Sequence, residues 1–143
     1  MKEFLQNREY IKVVNKFIIK IRETFPMNSS KFSFEGKIIT TEKFSKELDY
    51  PIKSIIYLEN KNSFIVLYNR DSNIRKWGQF PNIICLSTEG EKLWTVELPT
   101  TDTGDSYYQM EFEDGKLIAD SWCSFSCEID VNTGRIINKV FFK

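Results

Sequence analysis

One phrase is written twice in this chain. Ile84-Cys85-Leu86-Ser87-Thr88-Glu89-Gly90-Glu91-Lys92-Leu93-Trp94-Thr95-Val96 is echoed by Glu128-Ile129-Asp130-Val131-Asn132-Thr133-Gly134-Arg135-Ile136-Ile137-Asn138-Lys139-Val140. Each copy runs from an apolar strand through a polar, glycine-closed turn into a second strand. The turn glycines stand 44 residues apart, a period that suits a four-stranded β-meander used as a repeating unit. The repeat speaks to architecture and is nearly silent on chemistry.

The rest of the chain reads around that repeat as a single mainly β (α+β) domain, 1–143. It has four parts: an N-terminal helix and linker (1–30), a hairpin and connection (31–50), a first β-unit (51–98) and a second (99–143). Across residues 2–24, Phe4, Ile11, Val14, Ile18, Ile21 and Phe25 recur at helical spacing, so one amphipathic helix is expected to pack on the sheet. Pro26 ends it. The competing reading is a strand, because Phe17, Ile19 and Ile21 also alternate. A membrane-surface helix is the sharper alternative, through the row Lys12, Lys16, Lys20. From Phe32 the period becomes two. A hairpin is expected around Glu35-Gly36, and Lys43–Tyr50 reads as a polar connection or short helical turn before Pro51. Ser54–Leu58, Phe64–Tyr68, Asn82–Ser87 and Lys92–Leu98 make the first meander. Tyr107–Phe112, Lys116–Asp120, Ser126–Asp130 and Arg135–Phe142 make the second, with Asp114-Gly115 a strong hairpin signal. The turn glycines are expected at positive φ.

Composition excludes several chemistries. The 143 residues suffice for one buried core, and twelve Phe, six Tyr and three Trp can fill it. Lys and Arg balance Asp and Glu at twenty each, against the basic footprint of a nucleic-acid binder. The balance is uneven: residues 1–50 hold ten basic and seven acidic side chains, residues 99–143 four and eight. With no histidine, neither a Ser-His-Asp nor a Cys-His nucleophile system can be built within the chain, nor an imidazole zinc site. Carboxylate, Lys or Tyr chemistry stays open, but no enzyme is expected. Cys123 and Cys127, if on one strand, stand about 13 Å apart at ~3.3 Å per residue, beyond the ~7 Å a disulfide spans. Three cysteines without a framework fit a reducing compartment. Charges interrupt every apolar stretch of the first 22 residues, so neither a leader peptide nor a membrane span is expected. A cytoplasmic location follows as the default.

Ile129-Asp130-Val131-Asn132-Thr133-Gly134-Arg135-Ile136 resembles the blade signature of pyrroloquinoline-quinone-type β-propellers, apolar-Asp-x-x-Thr-Gly-x-apolar. Leu86–Trp94 is similar to its other common form, in which Trp ends the closing strand. The second copy departs there, with Asn138 where Trp would stand. Tyr50-Pro51-Ile52, Asn82-Ile83-Ile84, Gly90, Trp94 and a C-terminal Phe-Lys also resemble small bacterial proteins of this kind with no assigned activity. The resemblance covers roughly residues 52–142 and implies blades. Two units cannot close the six- to eight-bladed ring that holds quinone and calcium, so no cofactor is expected. The expected fold is a twisted antiparallel β-meander of two blade-like four-stranded units, not a closed propeller, with the helix covering an exposed face or edge.

Candidate sites follow from what the repeat does not need. Asp102-Thr103-Gly104 matches the aspartic-protease triplet but lacks apolar flanking strands and a second copy, so it reads as the loop between units. Asp102 and Asp105 are too few for calcium, and no metal site is expected. Asp130 and Thr133 read as turn caps, Trp94 as a packing residue. The first unit inserts residues 69–81 between its second and third strands. That insertion carries Arg70, Arg75, Lys76, Trp77 and Phe80, the residue types that concentrate in binding hot spots. It is either a binding loop or a lid whose Trp77 and Phe80 fold over the core. Tyr108 and Trp122, with Tyr107 and Asp120, form a second cluster near strand ends. The expectation is a non-catalytic protein-binding module, of the immunity or inhibitor type by analogy with small bacterial partner proteins. The alternative is a small-molecule or glycan-binding β-domain using Trp77, Trp122 and Tyr108.

Overall fold

The computed structural model describes residues 32–70 and 78–142. The helix expected over 2–24 lies outside them, as do Arg75, Lys76 and Trp77. The described residues form eleven strands in three antiparallel sheets, with no closed barrel or propeller. β1 (Phe32–Glu35), β2 (Ile38–Thr41) and β3 (Ser45–Glu47) form a three-stranded sheet in that order. β4 (Ile52–Leu58), β5 (Ser63–Tyr68), β6 (Ile83–Ser87) and β7 (Lys92–Thr95) form the first four-stranded meander. β8 (Tyr107–Glu113), β9 (Lys116–Ser121), β10 (Phe125–Ile129) and β11 (Ile136–Phe141) form the second.

Each meander holds one copy of the repeated phrase, with Gly90 between β6 and β7 and Gly134 between β10 and β11. One expectation is corrected. Residues 43–50 are not merely a connection or a helical turn, because Ser45–Glu47 pair with β2 as a third strand. Thr41 makes the reversal, its Oγ1 accepting the N–H groups of Lys43 and Phe44 at 3.1 Å each. That local side-chain bond satisfies the corner without a helix.

The residues divide into two compact units, one of 32–66 with 86–91, the other of 67–85 with 92–142 (71–77 excepted). In the first, Phe64 is the hub. Phe32 and Phe44 meet it edge-on at 5.7 and 6.2 Å, and Tyr57 lies tilted at 4.9 Å. Every residue of β5 is buried. Its unbroken run Phe64-Ile65-Val66-Leu67-Tyr68 is what burial on both faces demands.

In the second unit, register sorts the terminal sheet into two faces. Leu117 pairs with Ile129, and Ala119 with Cys127; all four are buried. Ile118 faces Glu111 and Glu128, and Asp120 faces Gln109 and Ser126. Leu117, Ala119, Cys127 and Ile129 thus line a buried face, and the residues between them on β9 and β10 are more exposed.

The turn glycines of the two phrases, Gly90 and Gly134, each lie against an aromatic ring from earlier in the chain. An added Cβ at Gly90 (φ +91) would sit 3.1–3.2 Å from Phe44, while Lys46 donates to Gly90 O at 2.7 Å. At Gly134 (φ +80) it would fall onto the Trp94 indole, whose Nε1–H donates to Val131 O at 2.9 Å. The Trp closing the first phrase thus clasps the turn of the second. Glu97 reinforces the clasp: its N–H donates to Gly134 O and its carboxylate accepts from Ile136 N–H, both at 2.9 Å.

The two turns are not identical. Ser87 N–H bonds Glu91 O, whereas Asp130 N–H bonds Arg135 O, so the second turn is one residue longer. Each starts on a capping side chain. Ser87 Oγ accepts from Glu89 and Glu91 N–H, and Asp130 Oδ1 from Asn132 N–H. Thr133 Oγ1 accepts from Arg135 N–H at 3.2 Å. Asp130 and Thr133 therefore act on their own turn, as their sequence suggests. Asp114 (φ 54) and Gly115 (φ 78) are both left-handed, the backbone of a tight primed hairpin turn.

Candidate binding surface

The loop from Pro99 to Ser106 joins the two meanders and organises the surface. Thr100 Oγ1 donates to Asp105 Oδ2 at 2.7 Å and accepts from Asp102 N–H at 3.2 Å. Gln79 Nε2 donates to the carbonyls of Thr100 and Asp102. Phe80 N–H donates to Asp105 O at 3.0 Å. Asp105 and Ser106 are buried, and among the described residues Asp105 Oδ1 and Ser106 Oγ have no partner. The protease-like triplet is thus a structured loop corner: Gly104 (φ 84) takes the left-handed turn, and Cys123 Sγ lies 3.8 Å from Asp102 Oδ2.

Gly104 also anchors both stems of the insertion. Its N–H donates to Gly78 O at 2.9 Å, and its carbonyl accepts from the Arg70 guanidinium at 3.4 Å. Arg70 lies over the Trp122 ring, 4.9 Å from its centroid. On Trp122, Tyr108 packs at 5.0 Å with the rings tilted by 51°. A guanidinium over an indole is a favourable cation–π pair. Trp122 is presented by the short β9–β10 turn. Its N–H is held by Ser106 O at 2.9 Å, while Ser124 (φ 72) reverses the chain by donating to Ser121 O. The indole is 52% exposed.

The structure therefore joins two clusters that are separate in sequence, bringing together Arg70, Tyr108 and Trp122. Phe80 goes elsewhere: it is buried and stacks on Tyr68, 6.3 Å away and within 7° of parallel. It belongs to the core. Of the cysteines, Cys85 and Cys127 are buried and Cys123 partly exposed, and none of them forms a disulfide. Cys123 lies in the turn rather than on β10, so it and Cys127 do not share a strand. Burial pushes both the Cys123 and Cys127 thiols above their ordinary pKa, and raises the Tyr107 phenol further still. A thiol held protonated is a poor nucleophile.

Two hollows lie away from the ladder. One, of about 550 Å³, is bounded by Thr95, Glu97, Thr133, Gly134 and Arg135. The other, of about 390 Å³, runs between Glu97–Pro99 and Ile136–Lys139. Neither is lined by Arg70, Tyr108 or Trp122. No group of three or more His, Cys, Asp or Glu side chains among the described residues could hold a metal ion.

Asn82 is the organising residue that sequence reasoning missed. Buried at the entry to β6, its Nδ2 donates to Tyr68 O at 3.0 Å and to Tyr107 O at 2.7 Å, and its Oδ1 accepts from Tyr107 N–H at 2.8 Å. One side chain thereby fixes the end of β5 and the start of β8, the strand that carries Tyr108. A lone Asn at a strand entry looks like a turn residue in sequence, and nothing there distinguishes this one.

By fold the chain is an antiparallel β protein of serial meanders bearing an exposed aromatic–guanidinium ladder. It belongs to the DUF7957 family, a domain of unknown function, whose model matches residues 29–141. No curated protein matches it. No helix among the described residues is long and apolar enough to cross a membrane.

Proposed function

We propose that this is a non-catalytic protein-binding module whose contact surface centres on Arg70, Trp122 and Tyr108. The ladder carries the reading. An indole more than half exposed is costly to leave in water, yet here it is held in place from the backbone and by its two neighbours. Rigid, pre-positioned Trp, Tyr and Arg are the side chains that dominate binding energy. Arg75, Lys76 and Trp77 follow Arg70 in the insertion and extend the surface in this reading. The finer form, an immunity- or inhibitor-type protein of bacterial origin, calls for a single cognate partner. Three cysteines without a disulfide suit a reducing compartment, and we place the protein in the cytoplasm.

Affinity capture with the wild type, Trp122→Ala and Arg70→Ala tests this. A protein species retained by the wild type should be lost with either variant, with melting temperatures within a few degrees of the parent, since surface substitutions cost within about 0.5 kcal/mol. Retention unchanged by both variants contradicts the reading. So does a large drop in melting temperature, which would make the ladder part of the core.

A further inference from the structure

We propose that the hollow between residues 95–97 and 133–135 binds a small zwitterion, an amino acid or short peptide with a free ammonium and a free carboxylate. Its two walls belong to the clasp around Gly134. Along the first wall Trp94 and Val96 are buried, so the alternation of an extended chain turns Thr95 and Glu97 to the exposed side. The second wall is the turn Thr133-Gly134-Arg135, tied to the first by the Glu97 N–H bond to Gly134 O at 2.9 Å. The space they bound is about 550 Å³. Small-molecule sites run from about 300 to 1,000 Å³.

This hollow is lined by one carboxylate and one guanidinium that do not neutralise each other. Among the described residues the ion pair formed is Lys43 with Glu89, so Glu97 and Arg135 are not joined. Glu97 Oε1 accepts the Ile136 N–H at 2.9 Å, which anchors the carboxylate to the backbone instead. Neither Glu97 Oε2 nor the Arg135 guanidinium has a partner among the described residues. Beyond Glu97, Lys139 is already committed: its Nζ donates to Pro99 O and lies over the Phe125 ring. Arg135 is thus the cation left for a ligand.

Opposite charges held unpaired on one hollow complement a ligand with the reverse arrangement. A ligand carboxylate is gripped by Arg135, whose guanidinium offers two parallel N–H donors, while the ligand ammonium meets Glu97. Thr133 Oγ1 accepts the Arg135 N–H at 3.2 Å and keeps its O–H to donate, and Thr95 adds a second hydroxyl. A neutral sugar leaves both charges unused, and a simple anion or cation meets one group of its own sign. Arg70, Tyr108 and Trp122 do not line the hollow, so the site is independent of the protein-binding surface. Both charged side chains are exposed, so the expected dissociation constant is modest, about 1 mM.

Amide NMR of the full chain at neutral pH, titrated to about 20 mM with glycine and separately with triglycine, tests the site. Saturable shifts are expected at Glu97, Gly134, Arg135 and Ile136 with at least one probe. Tighter binding of glycine identifies an amino-acid site, and tighter binding of triglycine a peptide site. The N-acetylated and the amidated form of the tighter probe each lack one charge and should bind at least about tenfold more weakly. Glu97→Gln and Arg135→Gln should weaken the intact probe to the same degree. The side-chain oxygen in Glu97→Gln still accepts the Ile136 N–H, and Arg135 is exposed, so amide shifts far from the hollow should not change. Absence of saturable shifts with both probes overturns the proposal. So do shifts confined to other residues, equal binding of the charge-blocked probes, or binding indifferent to Arg135→Gln.

Discussion

Gly134→Ala is expected to lower stability by about 2–6 kcal/mol, the largest effect of any single methyl group in this protein. Two independent costs add. A residue with a Cβ held at φ +80 is strained by about 1–3 kcal/mol. The new methyl must also displace a packed indole: its position lies 2.8 Å from Trp94 Cδ2 and 3.1 Å from Thr95 O. Overpacking of that kind costs about 1–3 kcal/mol. Gly115 is the internal control, with nearly the same φ (+78) but nothing within 4 Å of an added Cβ. Gly115→Ala should therefore cost only the backbone part, about 1–2 kcal/mol. Urea unfolding followed by tryptophan fluorescence measures both. Equal losses in the two variants would mean that the Trp94 clasp carries no weight.

Asn82→Ala should be nearly as damaging, at about 3–5 kcal/mol. The substitution removes three hydrogen bonds and leaves the Tyr107 N–H, the Tyr107 carbonyl and the Tyr68 carbonyl without their partner in a buried region. Orphaned buried groups cost about 1–3 kcal/mol each. Against a total stability of about 5–15 kcal/mol for a domain, the variant would lie near the limit of folding. Because β8 positions Tyr108, the loss should also disturb the ladder, read as a fall in Trp122 fluorescence anisotropy before global unfolding. A variant as stable as the parent would show that water replaces the Asn82 side chain at no cost.

The parts of the fold legible in the sequence are those encoded by short-range chemistry. Positive-φ glycines, the Asp114-Gly115 reversal and the alternation of β9 and β10 each act within a few residues. The phrase containing Gly90 and Gly134 marks both meanders for the same reason. Long-range devices were hidden. Phe44 on Gly90 and Trp94 on Gly134 are contacts across 46 and 40 residues. β3 was missed because its exposed Ser45-Lys46-Glu47 has no apolar alternation; pairing with β2 alone makes it a strand.

The candidate surface was legible as residue types but not as a constellation. Arg70 in the insertion and Trp122 with Tyr108 in the second meander each drew notice separately. That Arg70 lies over Trp122 depends on Gly104, whose two backbone groups gather both stems of the insertion. Phe80 lies apart from them. It shares a loop with charged residues, yet its ring is drawn inward to stack on Tyr68 while its N–H is fixed to Asp105.

A binding surface centred on Trp122 requires that its indole be covered when a partner is present. Hydroxyl-radical footprinting of the captured complex, compared with the dilute free chain, reads this directly at individual aromatic side chains. Trp122 and Tyr108 should lose most of their oxidation on binding, while Phe112, on the same sheet but distant in register, keeps its own. Unchanged oxidation at Trp122, with protection falling elsewhere, would contradict the assignment of the binding surface.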